Sequence, residues 1–136
     1  MFPPPRPWKQ IGEVDPDKEY VAFTSRFFLK SVRHVPAFVA QSQRIVKRVS
    51  DAPGIVGWSL GTKLASLEFY TLSAWEDESS LRGFVGSEHH LDAMKKFAAD
   101  LRAKSIFVRF PVLGKDLPLK WKDVVARQDR QRDSEQ

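Results

Sequence analysis

At 136 residues the chain has room for one domain, which excludes a two-domain enzyme. Hydrophobic residues make up 42% and aromatic residues 12%, with 10 Phe and 4 Trp, enough apolar bulk for a buried core. A net charge of +5 from 22 basic and 17 acidic residues is mild for a dedicated nucleic-acid binder, and the absence of cysteine excludes disulfides, thiolate nucleophiles, cysteine-held zinc and iron–sulfur clusters.

Chemistry therefore falls to His, carboxylates, hydroxyls, aromatics or a bound cofactor. No apolar run reaches the ~18 residues of a membrane span, and prolines stand where a signal peptide would be apolar. A cytoplasmic location and no membrane partner are expected.

In chain order, residues 1–19 carry Pro3, Pro4, Pro5, Pro7 and Asp15-Pro16-Asp17, and read as an extended arm without an element. The Pro4 to Pro7 spacing is a PxxP match, but a strap over the chain's own domain or a partner explains the same prolines. Residues 20–126 read as the folded body and residues 127–136, without an apolar side chain, as a disordered charged tail. Within the body, residues 20–30 (YVAFTSRFFLK) are apolar on both parities and predict a strand covered on both faces. Val35, Phe38, Val39, Ile45, Val46 and Val49 recur at helical spacing, with Pro36 suited to a first turn, until Asp51-Ala52-Pro53-Gly54 stops the helix. Residues 55–64 and 67–75 predict two strands joined by a turn near Ala65-Ser66. Acidic residues from Asp77 open a second helix, which Gly86 interrupts. Ser87 then caps a third segment, with His90 at its third position and His90, Leu91, Met94, Phe97, Ala98 and Leu101 on one face. Ile106, Val108 and Phe110 alternate with Phe107 and Arg109 in a last strand ending at Pro111, and Leu117, Trp121, Val124 and Val125 predict a short closing helix.

Strand, helix, strand, strand, helix, strand is the α+β, ferredoxin-like βαββαβ order: an antiparallel sheet with its helices on one face. Its other face is expected to be bare and to be covered by the sheet of a second copy, which predicts a homodimer.

Gly57-Trp58-Ser59-Leu60-Gly61 matches the G-x-S-x-G pattern of serine hydrolases, but it lies inside a predicted strand, where no nucleophile elbow forms. Three histidines, His34, His89 and His90, do not make a zinc triad, since His89 and His90 point about 100° apart on a helix. His90 and Met94, one turn apart, present a surface suited to a soft ligand or haem, against a bland reading of His90 as a core or cap residue. The six basic residues between Val21 and Ser50 lack the exposed aromatics of a nucleic-acid surface, so no nucleic-acid partner is expected. Arg26, in an apolar strand, needs an anion, either Glu68 on a neighbouring strand or a ligand acid. Phe69, Thr71, Ser73 and Trp75 share a strand face; if it faces the helices, they and His90 line a space for a small flat apolar or aromatic ligand.

The stretch YTLSAWEDESSLRGFVGSEHHLDAMKKF, residues 70–97, resembles the signature of dimeric α+β barrel proteins, the superfamily of antibiotic-biosynthesis monooxygenases and haem-degrading monooxygenases. The features that carry it are Trp75 at a strand end, the acidic helix start at Glu76 to Glu78, Leu81 and Phe84, and Ser87, His90, Ala93 and Met94. The resemblance implies an oxidoreductase that oxygenates an aromatic substrate with no required cofactor, or a haem-binding protein, or a non-catalytic binding module. In relatives that use no cofactor, a tryptophan near this strand end and polar groups on the first strand, often asparagine, do the work; here Trp75 is present and no asparagine is. In haem-degrading relatives a histidine follows the helix alanine, where this chain has Met94. The candidate catalytic set is therefore His90 as acid or base, Trp75, and Arg26 or Ser25 to orient an anionic oxygen. The candidate ligand-binding set is Phe69, Thr71, Ser73, Met94 and His89, with no metal ligand.

Overall fold

A computed structural model describes residues 6–135, with the side chains of residues 6, 7 and 89 outside it; Pro3, Pro4 and Pro5, and so the PxxP spacing, also lie outside the described residues. The described elements are β1 (Arg6–Gln10), β2 (Glu19–Phe28), α1 (Val35–Ser50), β3 (Ile55–Lys63), β4 (Glu68–Trp75), α2 (Glu78–Val85), α3 (Glu88–Ala98), β5 (Ile106–Leu113) and α4 (Trp121–Ser134). The strands form one antiparallel sheet in the order β1-β3-β4-β2-β5. From β2 to β5 this is the expected ferredoxin-like arrangement, to which β1 adds a fifth strand at the β3 edge.

Local chemistry sets the boundaries. Gly54, at φ +83°, ends the turn after α1, and a Cβ there would stand 2.1 Å from Ser80 Oγ, so a side chain is barred by both backbone and space. The Asp77 carboxylate accepts from the Ser80 N–H at 2.8 Å to open α2. The Ser87 hydroxyl accepts from the His90 N–H at 3.4 Å, which puts His90 at the third position of α3, as the spacing predicts.

Strand alternation divides the core in two. On the face toward α1, α2 and α3 lie Phe23, Ser25 and Phe27 of β2, Trp58, Leu60 and Thr62 of β3, and Phe69, Thr71, Ser73 and Trp75 of β4. On the other face Tyr20, Ala22, Val56, Ala74, Phe110 and Val112 form a second buried cluster, joined by Trp8, Val14, Leu117 and Leu119.

That second face corrects three expectations. It is not bare: α4 and the segments carrying Trp8, Val14, Leu117 and Leu119 cover it within one chain, so the physical reason given for a sheet-on-sheet dimer is absent. The tail is not frayed over residues 127–134, which continue α4, and Gln128 is fully buried because it extends the Trp121 and Val124 stripe by one turn. Part of the Pro-rich arm is a strand, since an edge position tolerates Pro7. Trp8 lies against Gly57, where a Cβ would sit 2.2 Å from its Cζ2, so the small residue of the G-x-S-x-G match admits the arm. The last strand also runs past Pro111, opposite Val21 on the edge strand β5, to Leu113.

Candidate active site

Between the sheet and α1 and α3 lies a cavity of about 410 Å³. Phe27, Phe38, Phe69 and Phe97 build one end, Phe38 packing on Phe69 at 4.7 Å and on Phe97 at 5.1 Å between ring centroids. These residues meet because Phe38 and Phe97 project from adjacent helices onto the odd-numbered face of β2 and β4. Polar groups enter from Ser25, Thr71 and Ser73 on the sheet, Gln41, Ser42 and Gln43 on α1, and His90 on α3. No Asp, Glu, Lys or Arg lines it among the described residues.

Ser25 and Thr71 are direct cross-strand partners, and their hydroxyls are hydrogen-bonded to each other. Two hydroxyls carry two hydrogens and their mutual bond uses one, so the pair keeps a donor for an oxygen in the cavity. Ser73 Oγ accepts from Trp75 Nε1 at 2.9 Å and donates to the Phe23 carbonyl at 3.3 Å. His90 meets the edge of Phe84 at 5.5 Å. Its Nδ1 is buried without a hydrogen-bond partner. Burial pushes the imidazole below its ordinary pKa, with the Val85 backbone pulling the other way, so it is neutral near pH 7 and able to accept a proton.

The structure thus brings Ser25, Phe69, Thr71, Ser73, His90 and Met94 to the lining of one cavity. Trp75 is placed differently. It is fully buried behind the wall, tilted on Phe84 at 5.2 Å and bonded to Ser73, and supports the cavity from behind without lining it. Arg26 faces the other way. It lies on the α4 side of the sheet, where Glu68 and Asp129 hold it, the latter at 2.8 Å. Strand alternation from Ser25 makes this unavoidable, so Arg26 cannot orient an oxygen in the cavity. Burial opposes the Arg26 charge, but the bonds to Glu68 and Asp129 outweigh it and raise its pKa. Tyr70, which donates to Glu68 at 3.0 Å, is pushed up to about 12, chiefly by burial. Of His89 the side chain lies outside the described residues. Ser59 lies in β3 opposite Leu72, on the α4 side, with no strand-to-helix turn at it.

Sequence reasoning missed the wall contributed by Phe27, Phe38 and Phe97, as well as Gln128. The helical register of α1 carried the Phe38 signal, and a glutamine in an apolar stripe carried the other.

Residues 33–96, from the turn before α1 to the last turn of α3, match the model of the family described as antibiotic biosynthesis monooxygenase. Over those residues the chain is similar to that family. A crystal structure of an antibiotic biosynthesis monooxygenase superposes with a TM-score of 0.61 at 14% identity, over 66% of this chain and 95% of that one. A point mutant of SnoaB, a cofactor-independent oxygenase from Streptomyces nogalater, superposes with a TM-score of 0.59 at 19% identity, over 73% and 97%. A conserved protein from Methanosarcina mazei Go1 gives 0.61 at 14%, over 67% and 90%. At these identities the superpositions establish the fold alone. None of the curated proteins compared with the chain matches it. No helix among the described residues is long and apolar enough to cross a membrane.

The cavity can be tested against haem. His90 supplies the one imidazole on the described lining, but the carboxylates of haem want cationic partners and that lining has none. No group of three or more His, Asp or Glu is placed to hold a metal ion among the described residues. The donor set does not fit haem.

Proposed function

We propose that the chain is an oxygenase-type enzyme that binds an uncharged, flat aromatic substrate between sheet and helices and needs no haem. The observation that supports this is the cavity wall: apolar and aromatic over most of its area, free of ionic groups among the described residues, with a hydroxyl pair on the sheet and a neutral imidazole on α3. The Ser25–Thr71 pair donates to the substrate oxygen, and His90 takes a proton from the substrate. The electron-rich substrate then reduces oxygen itself. With an anthrone, a CH2 becomes C=O, one oxygen atom enters the product and the other leaves as water, so no second reductant is required.

Oxygen uptake with anthrone and with quinols tests the reading. Turnover is expected to fall about 10²-fold or more in His90→Gln, the scale of a lost general base. Binding of these compounds by the wild type without oxygen uptake would leave a binding module. A Soret shift with haemin that His90→Ala abolishes would instead favour the haem reading. We also propose a second copy as partner, on the family resemblance; since α4 already covers the sheet, the copies would meet elsewhere or exchange α4. Sedimentation equilibrium, counting one chain or two, decides.

A further inference from the structure

The fully buried Gln128 of α4 lies on the side of the sheet away from the cavity, and it reaches one residue of the cavity's hydroxyl pair, Ser25, directly and the other, Thr71, through Thr24. Its Nε2 donates to the Ser25 carbonyl at 3.2 Å and to Thr24 Oγ1 at 2.7 Å. Thr24 Oγ1 in turn donates to the Thr71 carbonyl at 2.6 Å. One amide thus holds the backbone of Ser25 directly and that of Thr71 through the Thr24 hydroxyl, at the rung where their side chains bond on the other face.

We infer that Gln128 is a positioning residue that sets the cavity hydroxyl pair for a ligand oxygen, so that α4 docking and oxygen recognition are coupled through the sheet. The inference rests on the cavity reading above. A buried amide is a costly device for attaching a helix that Val124 already anchors with apolar contact, because its Oε1 is left without a partner. What the amide adds is direction: it bonds to β2 directly and reaches β4 through Thr24. By linkage, a ligand oxygen held by the pair must tighten α4 to the same degree that docked α4 tightens the oxygen.

The test uses 1-naphthol and naphthalene, which share a ring system and differ in one hydroxyl, titrated into the full chain. The readout is the ratio of their affinities, which a general loosening of the fold does not move. Wild type is expected to prefer 1-naphthol. Gln128→Met, which keeps the bulk and loses the bonds, should lower that preference about three- to tenfold, the worth of one net hydrogen bond. Val124→Ala, which removes buried apolar contact from the same helix, should lower stability and leave the preference within twofold. Slower amide exchange in α4 with 1-naphthol than with naphthalene, in wild type only, is the matching signature. An unchanged preference in Gln128→Met, or an equal loss in Val124→Ala, overturns the inference and leaves the cavity reading standing. Failure of wild type to bind either compound overturns both.

Discussion

Replacing Arg26 by Met separates a structural cation from a ligand-orienting one. Arg26 is 7% exposed and Glu68 6% exposed, so neither charge has water to fall back on. Removing one partner of a buried pair costs about 3–5 kcal/mol, chiefly for the charge left behind. The remaining Glu68 carboxylate keeps the hydroxyls of Ser66 and Tyr70, which places the expected loss near the low end, about 3 kcal/mol. Asp129 adds little, because its side chain is 45% exposed and solvent replaces the arginine. Against a total of about 5–15 kcal/mol for a domain, such a loss is large and easily read as a lower urea midpoint at unchanged slope. Arg26→Met combined with Glu68→Leu should recover most of it, since an apolar pair of similar volume escapes the desolvation cost. Where the variants are folded, the preference for 1-naphthol over naphthalene should stay within about twofold, a single hydrogen bond being worth more than that. A loss under about 1 kcal/mol on Arg26→Met would refute the buried-pair reasoning. A collapse of oxygen preference in a stable Arg26→Met would return the residue to the ligand site.

Other perturbations follow from the same geometry. Gly57→Ala sets a Cβ 2.2 Å from Trp8 Cζ2 and should cost about 1–3 kcal/mol with a change in tryptophan emission, whereas Gly83→Ala, with nothing within 4 Å on α2, should be neutral or stabilising. His90 has a lowered folded pKa, so the unfolded chain binds more protons there, and stability rises with pH through the ordinary histidine value of about 6.5. Melting temperatures at pH 5 and 7.5 should differ less in His90→Gln than in wild type. Glu68 is also lowered: burial opposes this, and Ser66 and Arg26 prevail. Its contribution is present above the ordinary carboxylate value of about 4.3 and is lost as pH falls through the folded value, so the stability gap between wild type and Glu68→Gln should narrow on acidification.

The sequence by itself determined the element order from β2 to β5, the caps at Asp77 and Ser87, and the sharing of one strand face by Phe69, Thr71, Ser73 and Trp75. These follow from local rules, the period of a strand or a helix and the hydrogen-bond needs of a helix start, which act over a few residues. It also offered Glu68, beside a ligand acid, as a partner for Arg26, but not the side of the sheet on which the pair lies. Only the tertiary structure decided that Trp75 stands behind the cavity wall, that Arg26 points away from it, and that Gln128 reaches Ser25 from the far side of the sheet. Those facts depend on which of two faces each helix covers, and the packing of α4 across 104 residues of chain settles that choice, where no local period carries it.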